Sequence, residues 1–244
     1  MSIDPVFVLL LLSHILGDYY LQPKVMAVGK VKKWSWLIGH SMIHTVCMFA
    51  ILVVSIGLIS DILWILLVVN VSHILIDFIK RFVKWKSFSL DQLAHLAILA
   101  TVWAIWGESL TVKEFILFEF AYLQKPVILI ILGLLCILRP VGVLIEQGDI
   151  WDFSRSKNPP DESQKGAGKM IGYLERIIVY FLLIVGQYAA AVAFVVTAKI
   201  AVRYPELSKE KEGRALTEYF LIGTMLSMVS VFVITLLLGL LRVN

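Results

Sequence analysis

Every histidine in the chain stands four residues from another histidine or from an aspartate: His14 with Asp18, His40 with His44, His73 with Asp77, and His95 with Asp91. Side chains four apart share one helical face, stacked over a single turn. Each pair can therefore present two ligand atoms in one direction. That spacing is how helical metal sites are built, in zincins and in bundle di-metal proteins alike. All five histidines fall within the first 95 residues.

The elements that must carry these pairs are membrane spans. The 244 residues are 59% hydrophobic and 16% charged, with mean hydropathy +0.87, which points to an all-α, polytopic membrane protein. A bilayer core takes about 20 mostly apolar residues per helix. Seven segments approach this, near 5–22, 36–59, 62–83, 90–107, 126–146, 170–198 and 218–241, and Pro140 in "LRPVG" is expected to kink or break the fifth. By organisation, residues 1–107 form a four-helix His/Asp-rich region. Residues 108–151 hold a connecting segment and the fifth span, 152–169 a hydrophilic loop, and 170–244 a two-helix C-terminal region. No cleavable signal peptide is evident, because Asp4 stands where a basic segment would.

Basic residues collect in the loops after the first, third and fifth spans: Lys24, Lys30, Lys32 and Lys33; Lys80, Arg81, Lys84 and Lys86; Arg155, Lys157, Lys165 and Lys169. The positive-inside rule then places these loops in the cytoplasm, the N-terminus outside and the C-terminus inside. On that topology all four pairs fall near one cytoplasmic depth, a property not used to select them. Net charge +4 and pI near 9.0 reflect loop bias, and a nucleic-acid reader is not supported. Cys47 and Cys136 lie in apolar runs and are read as buried free thiols.

An aspartate near the centre of a span costs about 2.5–3.5 kcal/mol on insertion scales. Structural zinc supplies roughly 10–16 kcal/mol in favourable sites, enough to offset several such residues. The expected ligands are His14, Asp18, His40, His44, His73, Asp77, Asp91 and His95, for one or two divalent ions, zinc first and iron or manganese as alternatives. Eight ligands exceed what one tetrahedral zinc takes, so either two ions bind or some pairs orient the ligating histidines. A proton relay or polar packing network is the competing reading of the same residues.

Other residues border the pairs. Gln22 extends the His14–Asp18 face, Gln92 adjoins Asp91, and Asn70 lies one turn before His73. Lys24, Lys30 and Lys80 could attract an anionic headgroup, although ordinary positive-inside residues read the same way. In the second half, Glu175 and Arg176 begin the sixth span, Lys199 and Arg203 end it, and Glu218 opens the seventh. Ion pairing between helices is the default for these, with substrate binding by Glu175 and Arg176 as the functional alternative. Tryptophans near span ends (Trp34, Trp36, Trp85, Trp103, Trp106) suit an aromatic belt. No HExxH, GxSxG, GxxxxGK or GxGxxG occurs.

"HILGDYYLQ", "GHSMIH", "SHILIDFIK" and "DQLAH", with "GYLERIIVY", "AKIAVRY" and "EYFLIGTMLS" later, resemble an uncharacterised family of bacterial polytopic membrane proteins, a domain of unknown function. The resemblance implies an inner-membrane protein and little about activity. A weaker similarity, carried by His73 and Asp77 in "SHILID" with His40 and His44 as partners, is to membrane-bound metal-dependent hydrolases.

Three readings follow. In the first, a membrane-embedded metal-dependent hydrolase acts on an anionic lipid or a phosphorylated, lipid-linked substrate, with Asp18 or Asp91 as general base. In the second, a divalent-cation or proton-coupled transporter uses pairs that resemble those of cation diffusion facilitators. In the third, a structural metal staples short spans together. The oligomeric state, including a homo-oligomer, is left open.

Overall fold

The computed structural model describes residues 2–56, 59–80, 82, 88–113, 119–120, 125–147, 162–195, 197, 212–240 and 242–243. Arg81, Lys84, Trp85, Lys86, most of the 152–169 loop, Lys199 and Arg203 lie outside these residues, as do the side chains of Lys165 and Glu218. The chain divides into two compact units. The first comprises Met1–Leu132 with Leu241–Asn244, the second Gly133–Leu240.

The first unit is a ring of helices. Helix α1 (Pro5–Ile15) starts where the Asp4 carboxylate accepts the Val6 amide at 2.6 Å and Pro5 presets the first turn. It runs into a wider π-helical turn, Leu16–Tyr20. A short helix α2 (Lys24–Gly29) leads to α3 (Trp34–Ser55), α4 (Ile59–Ile79) and α5 (Phe88–Trp106). Helix α1 packs on α3 and α5, and α4 closes the ring by packing on the same two. Two-residue strands, Ser2–Ile3 and Arg242–Val243, pair in parallel. That pairing brings the chain ends together, whereas the odd number of spans expected from sequence would separate them across the bilayer.

The ring has an apolar end and a polar end. Val6, Leu9 and Leu10 of α1, Met48 and Leu52 of α3, Ile62, Ile65, Leu66 and Val69 of α4, and Leu99 and Val102 of α5 form one buried cluster. These come from the first half of α1 and α4 and the last half of α3 and α5. The His/Asp pairs come from the opposite halves. Antiparallel neighbours therefore bring all the pairs to the end of the ring that also carries α2. On the outside, Ile38, Met42 and Val46 of α3 and Leu67, Val71 and Leu75 of α4 are exposed. Apolar stripes turned outward at helical spacing are what a hydrocarbon solvent requires.

Among the described residues five helices are long and apolar enough to cross a membrane: α3, α4, α5, α6 (Val127–Gln147) and α9 (Glu212–Leu240). Pro5–Tyr20 is apolar but shorter. The seven spans expected from sequence are thus not all found among the described residues, and the sixth expected span is one that differs. Helix α7 (Glu162–Ile184) stops short of Gly186, which takes φ +78°, a left-handed conformation that glycine adopts without steric cost. The amides of Gly186 and Gln187 close the end onto Leu183 and Leu182 carbonyls, at 3.1 and 2.7 Å. A separate helix α8 covers residues 188–195. Pro140, expected to kink or break the fifth span, sits inside a continuous α6.

In the second unit α7 packs on α9. Gly133 of α6 lies directly under the Tyr180 hydroxyl and Leu238. Lys169 pairs with Glu146 at 2.6 Å.

Candidate metal centre

At the polar end of the ring the eight His/Asp side chains leave the solvent almost entirely. Seven are no more than 3% exposed, and the Asp18 side chain is 5% exposed. The local reason is close helix approach. At Gly17 an added Cβ would fall 2.6 Å from His44 Cδ2, so only glycine lets α1 lie this near α3. Gly17 lies within the π turn, and Asp18 is its central residue, in a widened stretch often found at functional positions.

The contacts run across helices more than along them. His40 Nε2 lies 3.0 Å from His73 Nε2 and 3.3 Å from Asp18 Oδ1. Asp77 Oδ2 is 3.6 Å from each of the two histidine nitrogens, and Asp18 Oδ1 is 3.6 Å from His73 Nε2. The spacing within single pairs is no shorter: 3.9 Å for His14–Asp18, 3.6 Å for His73–Asp77 and 3.7 Å for His95–Asp91. Two ligands of a tetrahedral zinc, each about 2.0–2.1 Å from the metal, stand about 3.3 Å apart. Asp18 and Asp77, from two helical segments, each lie within 3.3–3.6 Å of His40 Nε2 and His73 Nε2, close to that measure.

Among the described residues three groups of side chains could hold a metal ion, each residue offering one ligand atom within 4.8 Å of the others: His14, Asp18, His44 and His73; His40, His73 and Asp77; and Asp77, Asp91 and His95. The groups share His73 and Asp77, so they form one continuous centre. Asp18 Oδ1, Asp77 Oδ1, Asp91 Oδ1 and His95 Nε2 are buried without a hydrogen-bond partner among the described residues. Buried polar atoms are nearly always satisfied, and these four orphaned ligand atoms lie among the groups that could hold a cation.

Surrounding groups orient the ligands. With its amide nitrogen on the Asp18 carbonyl (3.0 Å), Gln22 accepts from Lys30 Nζ and from His40 Nδ1, each at 3.3 Å. A proton on Nδ1 leaves the His40 Nε2 lone pair facing the cluster. Gln92 Oε1 faces His14 Nε2 at 3.4 Å and accepts the Tyr19 hydroxyl at 2.8 Å. Lys30 Nζ donates to Asp77 Oδ2 at 2.8 Å. Lys30 sits outside the spans, in the turn after α2. Burial opposes its charge, but Asp18 and Asp77 outweigh burial and raise its pKa above the ordinary lysine value. Lys80 pairs with Asp91. With neutral histidines, three carboxylates against two ammonium groups leave the centre one negative charge in excess.

The sequence-expected residues divide cleanly. All eight expected ligands, Gln22 and Lys80 come together. Lys24 begins α2 exposed, with no hydrogen bond or ion pair among the described residues. Glu175 and Arg176 lie in the second unit. There Arg176 is 6% exposed, donates to Ser227 at 3.4 Å and stacks 5.2 Å above Tyr173. Asn70 bonds Ser41 of α3 and not a histidine. Tyr19 and the tight approach at Gly17 were not legible in advance, since a tyrosine at a span end reads as interfacial belt. Cys47 and Cys136 are free thiols and take no part.

Residues 6–121 match the model of a family described as a protein of unknown function, DUF3307. The matched stretch contains every histidine of the centre. No curated protein and no solved structure matches the chain.

Proposed function

We propose that the protein is a membrane-embedded metalloenzyme, a metal-dependent hydrolase whose centre opens toward the cytoplasmic leaflet of a bacterial inner membrane. The observation that carries the metal is that Asp18 Oδ1 and Asp77 Oδ2 each lie within 3.3–3.6 Å of His40 Nε2 and His73 Nε2, which are themselves 3.0 Å apart. Zinc is the first candidate, because imidazole and carboxylate in a tetrahedral set suit it; iron and manganese take the same donors. A bound divalent ion lowers the pKa of water toward neutrality and polarises a carbonyl or phosphoryl oxygen. Hydrolysis then consumes one water. Its oxygen forms the new bond to carbon or phosphorus, the scissile bond breaks, and its second proton leaves with the departing oxygen.

Lys30 and Lys80 support an anionic substrate, a lipid headgroup or a phosphorylated lipid-linked molecule. Both stand beside the carboxylates, on the turns flanking α3 and α4, where they add positive potential at the mouth of the centre. The basic loops at 24–33 and 80–86 support the cytoplasmic side for that mouth.

One feature favours cation transport as the second reading. The first helix changes from α to π geometry at Leu16–Tyr20, where Asp18 reaches the cluster, and interrupted helices often border transported ions.

The test is metal content of detergent-purified protein by plasma mass spectrometry, wild type beside His73→Ala/Asp77→Ala. One or two equivalents, lost in the variant, support the centre. No metal in the wild type after supplementation with zinc, iron or manganese overturns it. Release of phosphate from a dipalmitoyl phosphatidate vesicle, measured beside zinc flux into proteoliposomes, then separates hydrolysis from transport.

A further inference from the structure

We propose that the centre holds a second divalent cation on Asp77, Asp91 and His95, with Asp77 bridging the two ions. The inference rests on the metal reading above and adds a position to it. Asp77 turns Oδ2 toward His40 and His73, at 3.6 Å from each Nε2, and its Oδ1 is buried without a hydrogen-bond partner among the described residues. Oδ2 also accepts from Lys30 Nζ at 2.8 Å, so one oxygen already faces cationic charge beside the histidines while the other is unspent, the arrangement a bridge needs.

The other two ligands are as incomplete. Asp91 Oδ2 is taken by Lys80 and by Gln92 Nε2, at 3.2 Å for the amide. Asp91 Oδ1 and His95 Nε2, 3.7 Å apart, have no hydrogen-bond partner among the described residues, and the His95 side chain is 3% exposed. Each residue offers a ligand atom within 4.8 Å of those of the other two. An imidazole nitrogen buried this deeply, beside two bare carboxylate oxygens, is a donor set and not an acidic patch.

The two positions differ chemically. His40, His73 and Asp77 surround the first, with Asp18 Oδ1 3.3–3.6 Å from the two histidine nitrogens. Three surround the second, which leaves one position for water. Asp91 thereby serves as a ligand and not as a free general base. Lys80 now neutralises Asp91, and its side chain is 19% exposed against 10% for Lys30. Lys80 is the group a second cation displaces, freeing an ammonium beside the open position. Paired cations about 3.5–4 Å apart, bridged and flanked by a cation, suit in-line displacement at phosphorus. The substrate class is a phosphate ester or pyrophosphate.

Equilibrium dialysis of the full chain against manganese(II), read by mass spectrometry and by electron paramagnetic resonance, tests the second site. Wild type is expected to bind two equivalents with an exchange-coupled spectrum. Asp91→Asn/His95→Ala is expected to bind one, with an uncoupled six-line spectrum and an unchanged elution volume. Lys80→Met is expected to keep two and to bind the second at least tenfold more tightly. One equivalent in both wild type and Asp91→Asn/His95→Ala, lost in His40→Ala/His73→Ala, overturns the second site and leaves the first standing. No manganese, zinc or iron in any of these proteins overturns both.

Discussion

His40 Nε2 and His73 Nε2 face each other at 3.0 Å across the interface of α3 and α4. Gln22 faces the other ring nitrogen of His40, so the His40 Nε2 lone pair points at its neighbour. With a proton on His73 Nε2 the two share a hydrogen bond; with both nitrogens unprotonated, two lone pairs at that distance repel. A proton or a cation between them removes the repulsion, and two carboxylates within 3.6 Å make the cation the better partner.

Removing the metal should therefore loosen the fold. A ligand bound only by the native state stabilises it by about 2.7 kcal/mol at a hundred times its dissociation constant. Thermal unfolding in detergent is expected at a lower temperature after chelation and at the original temperature after zinc is restored. An unfolding temperature indifferent to chelator would argue that the histidines are held by proton sharing.

Gln22→Ala is expected to weaken metal affinity by about 10–100-fold, the usual effect of losing a group that orients a ligand. The protein should remain folded, because Gln22 lies at the end of the ring. A competition titration against a chromogenic chelator measures the shift; unchanged affinity would remove Gln22 from any positioning role.

Gly17→Ala places a methyl group 2.6 Å from His44 Cδ2. Either α1 retreats from α3 or the ring turns, at a cost of about 1–3 kcal/mol for an overpacked core. Unfolding and metal content should fall together. Gly133→Ala crowds Tyr180 and Leu238 in the other unit and should lower stability while leaving metal stoichiometry alone.

Lys30→Met leaves the buried Asp77 without its 2.8 Å ammonium partner. Breaking a buried pair from one side costs roughly 3–5 kcal/mol. A divalent ion on Asp77 supplies the missing positive charge. The variant is expected to be markedly destabilised without metal and to approach wild type at saturating zinc. An equal deficit under both conditions would mean that no cation reaches Asp77.

The chemistry of the centre was written in the sequence because helices enforce it. Four-residue spacing fixes which side chains share a face, and alternating spans with basic loops fix which halves of the helices share a depth. From those two periodicities the eight side chains that converge could be named. What the sequence could not determine is which ligands belong together. The i, i+4 pairs invite one ion per pair, yet Asp18 lies nearer His40 than its own His14, at 3.3 against 3.9 Å. Such grouping depends on how closely helices approach, and one glycine at position 17 sets that distance between α1 and α3. Lys24 and Lys30 read alike as loop lysines, but the turn after α2 buries only Lys30 against Asp77. Spacing along one chain is local and survives any packing; distance between chains of the ring exists only after the helices have docked.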